Sequence, residues 1–106
     1  MPKYLIKATY TAEGVKGVMK DGGTKRRQAA EAAVKSTGGK MEAFYFAFGD
    51  ADALVIVDAP DNASIAAASM AIGASGLVTA QTVVLLTPEE IDQAVKKGAT
   101  YTPPGR

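Results

Sequence analysis

Lys40–Phe48 reads KMEAFYFAF, Gly49–Asp52 reads GDAD, and Ala53–Ala59 reads ALVIVDA. Two runs rich in aromatic and β-branched residues, parted by a short polar turn, predict an antiparallel hairpin. What flanks this hairpin decides the fold. On its N-terminal side, Tyr4–Tyr10 (YLIKATY) predicts a strand. Lys25–Thr37 predicts a helix, with Thr24 as N-cap and Gly38-Gly39 as its stop. Between them, Thr11–Gly23 carries Gly14, Gly17, Gly22 and Gly23 and reads as a connection, with one helical turn at Val15, Val18 and Met19. On the C-terminal side, Pro60 ends the third strand and Asp61 or Asn62 caps a second helix reaching about Gly73 or Ala74. Val78–Leu86 (VTAQTVVLL) predicts the fourth strand. Thr87 at N-cap, Pro88 at N1 and Glu90 three residues after the cap predict a short helix to Lys97, closed by Gly98.

The order β-α-β-β-α-β is the split-βαβ, ferredoxin-like pattern of the α+β class. It predicts one four-stranded antiparallel sheet with both main helices on one face, plus a short C-terminal helix. Residues 1–98 make one domain, and Ala99–Arg106, with Pro103-Pro104-Gly105, an extended tail.

The sheet then has a second face with no helix over it, where water calls for polar residues. The strands do not alternate that way. Leu54 and Ile56 oppose Val55 and Val57, and Val83 and Leu85 oppose Val84 and Leu86. In the second strand, strict alternation puts Phe44, Phe46 and Phe48 on one face and Met41, Ala43 and Tyr45 on the other. Apolar residues on both faces predict a homodimer or higher oligomer, with a second copy covering the open face. The alternative is that the C-terminal helix and tail fold over that face within one chain.

Composition narrows the function classes. The chain of 106 residues has no Cys and no His, which excludes thiol nucleophiles, disulfides, zinc fingers and His-ligated haem. No metal site and no cofactor are expected. Lys+Arg 12 against Asp+Glu 11 leaves a net charge of +1, which argues against a nucleic-acid or membrane-surface partner. RNA-recognition modules share this strand order, but Ala53–Val57 supplies neither stacking aromatics nor a basic surround. The chain begins like a first strand rather than a leader, and cytoplasmic is the default compartment.

Several stretches resemble the GYD family of small prokaryotic proteins: Gly38-Gly39-Lys40, Ala43-Phe44-Tyr45, Phe48-Gly49 through Asp52, Ala59-Pro60-Asp61 and Gly73-Ala74-Ser75-Gly76. The resemblance runs from the first strand through Glu90. It implies a dimeric α/β-barrel arrangement, in which two ferredoxin-like sheets pack face to face. The family's Gly-Tyr-Asp motif falls with its Gly on Gly49 and its Asp on Asp52, and Ala51 stands at the Tyr position. Related barrel groups include cofactor-free monooxygenases, isomerases and dehalogenation-associated proteins.

Two sets of candidate site residues follow. Lys7, Thr9, Tyr10, Tyr45 and Asp52 are candidates to bind a flat, apolar ligand beside the aromatic strands, the plain alternative being core packing and turn chemistry. Lys25, Arg26 and Arg27 put three cations in the first turn of a helix, where the dipole prefers anions. With the amides of Gly22–Thr24 they are candidates for holding a phosphate or carboxylate. The alternative is a solvated basic face with an Arg27–Glu31 pair. The expected function is an oligomeric small-ligand-binding domain. A structural or regulatory assembly module is the alternative, and a cofactor-free enzyme is the third reading.

Overall fold

The computed structural model describes residues 1–106. Its elements are β1 (Lys3–Tyr10), α1 (Ala12–Asp21), α2 (Gly23–Ser36), β2 (Lys40–Phe46), β3 (Ala53–Asp58), α3 (Asn62–Ala74), β4 (Val78–Leu85) and α4 (Pro88–Lys97). The four strands form one antiparallel sheet in the order β2-β3-β1-β4, the ferredoxin-like arrangement. No helix is long and apolar enough to cross a membrane.

Register assigns the faces. β1 pairs Tyr4 with Val57 and Val84, Ile6 with Val55 and Thr82, and Ala8 with Ala53 and Ala80. These residues share the helix-covered face, because partners across a ladder point the same way. Tyr4, Ile6, Val55 and Val57 form the core there with Val34 of α2 and Ile65 of α3. Only 12 of the 106 residues are buried, so the core is thin.

Three local expectations are corrected. First, Thr11–Gly23 holds a ten-residue helix, Ala12–Asp21, and not a connection with a single helical turn. Thr11 caps it, its hydroxyl accepting from the Gly14 N–H at 3.2 Å, and the cap N–H donates to the Leu77 carbonyl at 2.9 Å. Of the two glycines that weaken it as a free helix, Gly14 lets it lie flat on the chain: a Cβ there would stand 2.2 Å from the Leu77 oxygen. Secondly, α2 starts at Gly23, so Thr24 lies inside it and caps nothing. Gly22, at φ +83°, turns the chain directly from α1 into α2, a conformation that favours glycine. Thirdly, β2 carries a bulge between Met41 and Ala43. The extra residue, Glu42, carries Met41 over to the face of Phe44 and Phe46, where it packs against the core. Ala43 and Tyr45 stay on the open face.

The helix termini at α3 and α4 follow the expected chemistry. The Asp61 carboxylate accepts from the Ser64 N–H at 2.8 Å, which holds its pKa below the ordinary value. Thr87 and Glu90 complete a capping box on α4. α4 does not fold over the open face: every residue from Leu86 to Arg106 is exposed. The molecule is therefore elongated, 56 × 33 × 22 Å, with a radius of gyration of 16.8 Å. A compact chain of this length would have about 13 Å.

Candidate functional site

Cavities in this fold are set by what the helices fail to fill. α2 turns Ala29, Ala30 and Ala33 toward the sheet and only Val34 reaches deep into the core. The result is a cavity of about 90 Å³ between sheet and helices, lined by 14 residues of which 13 are apolar. Ile6, Val55 and Phe44 form its sheet wall, Ile72 and Val78 lie along its side, and Tyr10 also borders it. Its one charged lining residue is Arg26. The guanidinium lies 3.4 Å from the Asp21 carboxylate and beside the Tyr10 hydroxyl, so the cation is partly balanced. An apolar chamber with a few convergent polar groups is the ordinary form of a small-molecule site.

Tyr10 joins this cavity to the neighbouring loop. Its N–H donates to the Asp52 carboxylate at 2.9 Å. The Asp52 N–H donates to the Ala8 carbonyl and the Asp52 carbonyl accepts from Ala47, each at 2.8 Å. Asp52 thus pins the β2–β3 loop to the end of β1. Burial raises the Tyr10 pKa above its ordinary value; Arg26 opposes the rise and the Asp52 charge adds to it. A folded pKa raised above the unfolded one means the folded state holds the proton longer. Stability from this group is complete below the unfolded value and is lost as pH rises through the folded one. Tyrosinate absorbance is therefore expected to include a Tyr10 step above the ordinary tyrosine value. Tyr10→Phe should delete that step, and Arg26→Gln should move it further up. If Tyr10→Phe removes amplitude from the ordinary tyrosine range and leaves a raised step in place, Tyr10 is solvated.

The remaining ligand candidates lie elsewhere. Tyr45, Leu54, Lys7 and Gln81 are register neighbours in one row across the open face. Lys7, Thr9, Thr79 and Gln81, with Asp50 and Ala51 of the loop, line a shallow polar cleft of about 460 Å³ on that face. Ala51 borders the cleft with only a methyl group. Beside the cleft runs an apolar belt of Ala43, Ile56, Leu5 and Val83, again one register row. The five residues therefore divide into Lys7, Thr9 and Tyr45 on the open face, and Tyr10 and Asp52 at the sheet's end.

The basic cluster divides too. Lys25 and Arg26 pair with Asp21 at 3.9 and 3.4 Å. Arg27 and Glu31 border a common groove with Glu42 and Tyr45 but form no ion pair with each other. Sequence reasoning missed Asp21 as the partner, because Asp21-Gly22-Gly23 read as loop; the Asp21–Lys25 spacing of four was the available signal. It also missed Ala29, Ala30 and Ala33 as cavity lining. Their signal was a run of alanines where a helix over a sheet needs bulk.

No curated protein and no solved structure matches this chain. A family model does: the one described as the GYD domain matches residues 4–95, from the start of β1 into α4. With that match spanning nearly the whole chain, the protein belongs to the GYD domain family.

Proposed function

We propose that this protein is a homo-oligomeric domain that binds a small apolar or aromatic molecule, seated between the sheet and the alanine face of α2. The observation that carries the reading is the cavity itself, with thirteen apolar residues and a single cation, Arg26, in its wall. Arg26 and the Tyr10 hydroxyl supply a polar anchor for a ligand's carbonyl, phenol or carboxylate. The cavity is smaller than the ~150 Å³ that holds a benzene ring dry. Its occupant is then a molecule of a few heavy atoms, or the apolar end of a longer one whose polar end faces Arg26.

The test is thermal unfolding with a panel of carbonyl, phenol and carboxylate compounds, including ones whose apolar end has only a few heavy atoms. A ligand at about ten times its Kd adds ~1.4 kcal/mol and raises Tm by roughly 5–10 °C for a domain of this size. Ala33→Leu fills the chamber and should abolish that shift. A panel that leaves Tm unmoved in the wild type counts against the site, and a shift that survives Ala33→Leu places the ligand elsewhere.

A second reading, an assembly module, is favoured by a different observation. The belt of Leu5, Ile56, Val83 and Ala43 lies open with a polar margin of Lys7, Thr9 and Gln81, the layout of an apolar interface core with a wet rim. The outer face of α3, with Met70 exposed among alanines, is also apolar. A second copy of the chain fits both readings. They differ only in whether the cavity is occupied.

A further inference from the structure

Two exposed apolar surfaces lie at opposite ends of the molecule, and each lacks what the other has. The first is on the C-terminal arm. In α4, Leu86 at N′ and Ile91 at N4 occupy the positions of a hydrophobic staple, and Ile91 and Val95 continue a stripe at a spacing of four. All three are exposed, Val95 at 76%. A helix of ten residues is marginal in water, and helices gain most of their stability by packing an apolar face. α4 packs on nothing in its own chain. The second surface is a groove of about 260 Å³ at the far end of the sheet, between α1 and the β2–β3 loop. Val15, Val18, Phe46 and Phe48 line it, and Phe48 is fully exposed.

The same chain cannot join the two. The groove lies at the Tyr10–Val78 end of the β1–β4 ladder and α4 leaves from the Leu85 end. Seven residues of strand separate these ends by about 23 Å. From Leu85, the linker and helix carry Ile91 no further than roughly 13 Å and Val95 no further than roughly 19 Å, even if α4 folded straight back along the strand. Charge also fits a partner. The last turn of α4 carries Lys96 and Lys97, and the loop beside the groove carries Asp50 and Asp52.

We propose that Leu86–Arg106 is an exchange arm: α4 of one copy seats Ile91 and Val95 in the α1–loop groove of a second copy. Two sheets that face each other with strand directions inverted place the Leu85 end of each beside the groove of the other, so a two-fold pair exchanges both arms at once. This rests on the oligomer proposed above and adds the segment that locks it.

The absence of cysteine makes the test clean. Phe48→Cys and Val95→Cys are prepared as separate full-length proteins, mixed, and treated with a short bismaleimide linker that tolerates a few ångströms of register. A cross-linked heteropair is expected, with much less product from either variant alone. The double variant should link between copies and not within one. Truncation after Leu85 should raise the dimer Kd at least ~10-fold by sedimentation equilibrium. A dimer that sediments normally but gives no heteropair, or a double variant that links within one chain, overturns the arm while leaving the oligomer standing. A protein that sediments as a monomer overturns both.

Discussion

Gly14→Ala is expected to destabilise this domain by at least ~3 kcal/mol, and Gly17→Ala, one turn on in α1, to stabilise it. Taken alone, both replace the second-worst helix former with the best, a change that gains ~0.5–1 kcal/mol in a helix interior. The sign is decided by what the new methyl meets. At Gly17 nothing lies within 4 Å, so the ordinary gain of roughly 0.4–1 kcal/mol is realised. At Gly14 the Cβ would stand 2.2 Å from the Leu77 carbonyl oxygen and 3.2 Å from the Tyr10 Cβ. Both obstacles are fixed to the backbone. The same Leu77 oxygen accepts from the Thr11 N–H at 2.9 Å and the Thr11 hydroxyl at 3.3 Å. α1 can make room only by moving away, which breaks these bonds and its cap. Overpacking costs ~1–3 kcal/mol and each hydrogen bond about 1 more. Urea unfolding followed by circular dichroism measures both variants. A Gly14→Ala midpoint at or above the wild-type value would mean that α1 is not docked on Leu77 in solution.

The same residue shows why part of the fold was hidden in the sequence. The succession of elements along the chain, the hairpin, the Asp61 or Asn62 cap and the Thr87–Glu90 box were legible because each depends on neighbours in sequence. α1 was not, because its two glycines argue locally against a helix, and the contact that favours it lies 63 residues away at Leu77. Tertiary context overrode propensity. The bulge at Glu42 was hidden for a related reason. Strict alternation is the only rule a single strand offers, and the extra residue is set by pairing with β3 and by the core's demand for Met41.

The candidate site was legible in its residues but not in its grouping. Tyr10 and Arg26 were both singled out, one as an aromatic wall and the other as an anion ligand, 16 positions apart. Only the turn at Gly22, which sets α2 directly after α1, brings the guanidinium to the phenol. Lys7 and Tyr10 read as one group because they sit on one strand. An odd separation puts them on opposite faces, so no rigid site on one sheet face can use both. The small residues that create the cavity carried no chemistry of their own, and a chamber is defined by side chains that are missing.

Tyr4→Ala should carry the other large cost, about 3–5 kcal/mol by analogy with other buried aromatics. Tyr4 is one of the two largest fully buried side chains, 1% exposed between Val57 and Val84. Its hydroxyl donates to the Asn62 side-chain oxygen at the start of α3, so one residue joins the sheet to a helix. Tyr4→Phe separates the two contributions. Asn62 is exposed and water can take the freed oxygen, so the loss should be only ~1 kcal/mol. Domains have roughly 5–15 kcal/mol in all, and a core of 12 buried residues belongs at the low end. Against a total of about 5 kcal/mol, Tyr4→Ala then removes more than half, and the isolated copy should be close to its unfolding midpoint at 37 °C. That outcome bears on assembly as well. If folding is coupled to association, the Tyr4→Phe midpoint must rise with protein concentration, because mass action favours the paired state. A midpoint independent of concentration, with Tyr4→Ala still folded, would mean that one copy alone supplies the stability this thin core lacks.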